Sequence, residues 1–164
     1  MKNQDDKNTV RNQTTLTKRP TYHLTYLEHV ICDSQGRLFE YCNNIGLDFD
    51  VFVKEYMCSD FCARAMDAEY SRYHYCDTEE VFEFLEAELS KTKAGLSLKS
   101  AAAYWIGFMY RMVSLKTGIS SKLLYSVLPP QKMELFYPGM HVLDDCVACE
   151  ELTKYTREGK TYAG

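Results

Sequence analysis

The chain is poor in chain breakers and in catalytic signatures. It has 8 glycines and 4 prolines against 13 tyrosines and 8 phenylalanines. That leaves too few turn formers for a meander of short strands, and ample aromatic surface to bury. Its longest apolar run, Ala101 to Tyr110, is about half of the ~20 residues a bilayer span needs and stops at Arg111, so no membrane segment is expected. There is no paired-histidine metalloprotease helix, nucleophile elbow, phosphate-cradling glycine loop or dinucleotide fingerprint. No catalytic, cofactor-binding or metal residue is therefore assigned, and the chain is read as non-enzymatic and without a cofactor.

Regular cysteine spacing is also missing. The 7 cysteines, Cys32, Cys42, Cys58, Cys62, Cys76, Cys146 and Cys149, form an odd set. Residues 1–20 lack the apolar segment of a secretory signal, so a reducing, cytoplasmic setting is expected, with the thiols serving as small buried hydrophobes. The nearest approach to a zinc site is Cys58 and Cys62 with His74 and Cys76, which supply enough donors if the loop folds back. Ser59-Asp60 interrupts that helix, so burial is preferred. Cys146 and Cys149 fall inside an expected helix without the turn of a zinc knuckle or a thioredoxin-like strand. The acids Glu79, Glu80, Glu83, Glu86 and Glu88 mostly avoid the stripe Val81, Phe82, Leu85 and Leu89, which makes them a solvated face.

What is present is helical periodicity and segregated charge. A net charge of −4 conceals 12 acidic and 3 basic residues between Asp48 and Glu88, then 7 basic and no acidic ones from Leu89 to Met133. Such blocks complement each other within a fold or meet an oppositely charged partner. Residues 1–20 read as a disordered arm, 21–157 as one helical domain and 158–164 as a flexible tail.

The spacing predicts one helix from Tyr22 to Ile45, weakened in the middle by Ser34 and Gly36 and open to a break there, then one capped by Asp48, and a short one capped by Ser59 over Phe61 to Met66. Glu69 to Asp77 fits no class. Asp77 with Glu80 reads as a capping box, and Ser97 or Ser100 as the cap of a central apolar helix over about 98–116 that Gly118 ends. Ser121 to Leu128 follows. Pro129-Pro130 opens a helix through Tyr137, Pro138-Gly139 turns the chain, and Asp144 caps a last helix to about Tyr155. The expected fold is an all-α, single-domain bundle of about seven or eight helices. The central helix supplies Trp105, Phe108 and Met112 to the core. Arg111 on the same helix needs a partner, and the acidic 48–88 segment is the expected source.

Arg111 to Leu128 also has the outline of a helix-turn-helix, in which Ser120, Ser121, Lys122 and Tyr125 face bases. Its rival is a plain helical corner, because glycine ends many kinds of helix. YWIGFMYR (Tyr104 to Arg111), GISSKLLY downstream, YPGMH (Tyr137 to His141) and FVKEYMCSDFCARAMDAEYSRYHYCDTEE together resemble a set of small Firmicutes-type bacterial proteins encoded near toxin–antitoxin-like genes. The resemblance spans about Tyr22 to Tyr155. It implies an antitoxin-like or accessory protein that acts by binding another protein, with a toxin as the candidate partner. Protein–protein interaction is thus the leading expectation and DNA-binding regulation the alternative. An interaction module predicts an exposed aromatic patch, with the tyrosines between Glu69 and Cys76 as candidates.

Overall fold

A computed structural model describes residues 21–161. The expected arm over 1–20 and the end of the expected tail, 162–164, lie outside them. Among the described residues the chain is all-α. Helices α1 (Tyr26–Asn44) and α2 (Phe49–Met57) precede a π-helical turn (Cys62–Met66) and a 3-10 turn (Arg72–Tyr75). Then come α3 (Thr78–Leu85) with a 3-10 turn (Glu86–Glu88), α4 (Ser100–Thr117), α5 (Ser121–Val127), α6 (Pro130–Met140) and α7 (Asp145–Thr161). An isolated antiparallel bridge joins Leu47 to Lys93. No helix among the described residues is long and apolar enough to cross a membrane.

Helix α4 is the axis of the bundle. Every residue from Trp105 to Ser114 is buried, and α1, α5, α6 and α7 all pack on it. Its composition requires this, because a helix apolar on all sides must be covered on all sides. Trp105, Phe108 and Met112 sit in the core as expected.

The contact with α1 settles the open point at Gly36. Helix α1 starts at Tyr26, capped by a Thr25–Glu28 box, and runs unbroken through Gly36. A methyl group on Gly36 would lie 2.8 Å from Tyr104 Cε2 and 3.0 Å from the Tyr104 carbonyl oxygen. One on Gly107 would lie 2.7 Å from Phe39 Cγ and 2.8 Å from the Gln35 carbonyl oxygen. Gly36 is therefore a notch and not a break: the two glycines let the backbones of α1 and α4 meet.

Several end signals also differ. Asp77 precedes α3 but makes no side-chain cap. Neither Ser97 nor Ser100 caps α4. Lys99 holds that position, and the end of α1 anchors the junction instead. Asn43 Nδ2 donates to the Leu98 carbonyl (2.8 Å), Leu98 N–H donates to Asn43 Oδ1 (3.1 Å), and the Ser100 hydroxyl donates to Asn44 Oδ1 (2.7 Å). Pro138 lies inside α6, which runs on to Met140. Tyr137 packs edge-on against Trp105 and stacks on His141, whose N–H closes on the Tyr137 carbonyl, so the last turn holds without the proline's N–H. Helix α7 continues past Tyr155 to Thr161, into the segment expected as tail.

Candidate functional site

The C-terminal half of α4 carries Arg111 into the interior, and tertiary contacts satisfy it there. Nε and Nη2 donate to Gln35 Oε1 at 3.0 and 2.8 Å, and Nη1 donates to Asp67 Oδ1 at 2.9 Å. Nη2 also approaches Ser121 Oγ (3.3 Å) and Cys62 Sγ (3.8 Å). Tyr56 donates its hydroxyl to Gln35 Oε1 (2.7 Å), and Gln35 Nε2 donates to the Gly107 carbonyl (2.9 Å). Asp67 in turn receives the Ser121 N–H on Oδ2 (2.9 Å) and its hydroxyl on Oδ1 (2.5 Å). Burial works against the charge on Arg111, but Tyr56, Cys62 and Asp67 outweigh it and hold the guanidinium protonated. One network thus ties α1, α2, the π-helical turn, α4 and the start of α5 together.

This network forms the floor of an open cleft of 630 Å³. Leu27, Glu28 and Ile31 of α1 form one wall, and Met66 to Tyr70 with His74 and Tyr75 form another. Ser114, Leu115 and the corner Gly118 to Ser120 close the third side. Gly118 ends α4 at φ 71°, a left-handed conformation that glycine adopts without strain. The corner carries the chain from α4 into α5, and its residues Gly118, Ile119 and Ser120 face the 67–75 loop across the cleft. Tyr70 is 87% exposed and Tyr75 56% exposed on the rim, and Leu27 is exposed beside them.

His74 is nearly buried against this cleft. Its Nε2 lies 3.0 Å from the Met66 carbonyl, and because a carbonyl only accepts, Nε2 carries the proton. Burial, reinforced by the Arg111 charge and opposed by the Met66 bond, lowers its pKa, so the ring is neutral and Nδ1 is an acceptor. Nδ1 has no hydrogen-bond partner among the described residues. Glu28 is held ionised by hydrogen bonds from Tyr22 and Thr25, which outweigh its partial burial. Glu69 has no polar partner among the described residues. The cleft therefore combines apolar and aromatic walls with a few fixed polar groups, and its volume lies in the range of small-ligand and side-chain sites.

The candidate zinc donors are dispersed. Cys58 is exposed at the end of α2, Cys62 is buried beside Arg111, and His74 donates its Nε2 proton to Met66. Cys76 sits 3.4 Å from the Arg72 carbonyl. Among the described residues no three His, Cys, Asp or Glu side chains converge as a metal ion would require. Burial pushes the Cys32 and Cys42 thiols up, and Cys149 up to about 11, so they carry no thiolate at neutral pH.

The four base-reading candidates do not share a surface. Ser120 accepts the Leu123 N–H as the cap of α5, Ser121 is buried on Asp67, Lys122 is exposed, and Tyr125 packs against the core. Ser121 faces inward because its hydroxyl completes the Asp67 site, which removes it from any base-reading face. Asp67 comes from the acidic segment expected to pair Arg111. Gln35, Tyr56 and His74 were not anticipated as parts of the site. Gln35 did leave a signal: it is a polar residue on the Ile31, Leu38, Phe39 and Cys42 stripe of α1, where an apolar side chain would otherwise stand.

No protein-family model, curated protein or solved structure matches the chain.

Proposed function

We propose that this protein is a non-enzymatic binding module that receives a segment of a partner protein in the cleft between α1, the 67–75 loop and the α4–α5 corner. The observation that carries the reading is the exposed Tyr70, Tyr75 and Leu27 rim above a floor immobilised by the Arg111 network. Exposed tyrosines add contact area at low entropic cost, and a fixed floor spares the ordering cost of binding. The resemblance to proteins encoded beside toxin–antitoxin-like genes favours an antitoxin-like or accessory role within that class, with a toxin as the partner.

A photo-cross-linking amino acid at Tyr70, in the full chain exposed to an extract of its own host, tests the reading. The same group at Leu135, which is exposed on α6, serves as the control. A single protein captured from Tyr70 and not from Leu135 is the expected result. Capture from Leu135 alone, or retention of a specific DNA fragment with no protein, overturns it. The antitoxin role is tested by co-expressing the captured protein: growth arrest by that protein, relieved by this chain and not by its Tyr70→Ala variant, is the expected outcome.

A further inference from the structure

We infer that the group seated in the cleft is an arginine side chain of the protein partner, an inference that rests on the binding-module reading above. Three features of the cleft select a planar donor-only cation. First, its charge is negative. Asp67 and Arg111 neutralise each other at 2.9 Å, leaving Glu28 and Glu69 as the uncompensated charges of the lining; Glu28 accepts from Tyr22 and Thr25, and Glu69 is unpaired among the described residues. An anionic ligand would meet both, and Arg111 has already spent its Nε and Nη2 protons on Gln35 and Ser121. Second, the nearly buried His74 lines the cleft, and its Nδ1 has no donor among the described residues, so it is free to accept a ligand N–H. Third, the rim carries exposed tyrosine rings, on which a guanidinium stacks more favourably than a strongly hydrated ammonium.

Titration of the 15N-labelled full chain with N-acetyl-arginine amide, and with its citrulline, lysine and glutamate counterparts, tests the inference. Arginine is expected to bind tightest and to move the amides of 27–31, 68–75 and 115–120. Citrulline should bind at least several-fold more weakly, because it keeps the shape and loses the charge. Glu69→Gln, at an exposed and unpartnered position whose change removes no packing or hydrogen bond of the fold, should weaken arginine several-fold, and Tyr70→Leu should narrow the advantage of arginine over lysine. Equal binding of citrulline or lysine, preference for glutamate, or shifts outside the cleft each overturn the inference. So does a Tyr70 cross-link to residues 1–20 of the chain itself or to a second copy. A foreign protein captured at Tyr70 with no arginine preference sinks only this inference, whereas arginine binding with no protein captured sinks the module reading.

Discussion

Helix α2 is fastened at its two ends by polar sites of opposite electrical character. At its last turn Tyr56 joins the Gln35–Arg111–Asp67 network, where a cation meets a carboxylate and the donors meet acceptors. At its first turn Asp50 faces Glu134 of α6. Gln131 Nε2 donates to Asp50 Oδ2 at 3.1 Å, but Asp50 Oδ1 is buried and has no donor while Glu134 is ionised. Burial, then a hydrogen bond to Asp50 and the nearby Asp50 and Asp48 charges, raise Glu134 to about 7. The first site is a lock that does not titrate in the physiological range, and the second is a seam held by one exchangeable proton. A bundle thus tolerates a fully buried arginine when all its neighbours cooperate, and concentrates its pH sensitivity where two like charges share a contact.

Breaking the lock gives the largest expected effect. Asp67→Ala strands the Arg111 charge and leaves the Ser121 N–H without its acceptor, and should cost about 3–5 kcal/mol in urea unfolding. The comparison sharpens in the double variant Arg111→Met with Asp67→Ala, which should recover most of that loss because no uncompensated charge remains. If the double variant is no more stable than Asp67→Ala, the lock is not electrostatic. Gly107→Ala comes next, at about 1–3 kcal/mol, because a methyl group 2.7 Å from Phe39 forces α1 and α4 apart.

The seam should show itself through pH. Glu134 titrates near 7 in the folded chain against an ordinary 4.5, so the folded state binds the extra proton between those values. Its contribution to stability is full below about 4.5 and is lost as pH rises through about 7. Thermal melts should therefore decline from pH 5 to 8, and Glu134→Gln should flatten that decline while leaving low-pH stability unchanged. An unaltered slope would place the titration elsewhere. The smallest effect is expected at Ser120→Ala, about 1 kcal/mol from loss of the α5 cap. It should leave both sites of α2 intact, and a matching loss in Asp67→Ala cycles would show instead that the cap and the lock are coupled.

The helices whose faces repeat every three or four residues are legible in the sequence, and so are Trp105, Phe108 and Met112 as core residues. The part of Gly36 is not, because a glycine that breaks a helix and one that admits a neighbouring backbone look alike until Tyr104 is known to lie on it. Asp77 stands at the N-cap of α3 without its side chain closing a cap hydrogen bond, while Asn43 serves the α4 junction from 55 residues away. For the site, the acidic segment was a sound guide to the partner of Arg111, since a buried guanidinium requires a carboxylate. It could not single out Asp67 among the acids of that segment, and nothing local marked His74 as the acceptor beneath the cleft.

Local composition determined that this chain is a helical bundle around one apolar helix, because period and burial follow from side chains a few residues apart. Which polar groups that bundle would bring together was decided only in three dimensions. Gln35, Asp67, His74 and Arg111 come from three helical segments and a loop, and they are brought together because Gly36 and Gly107 let α1 and α4 touch while Gly118 ends α4 and Ser121 beyond it reaches Asp67.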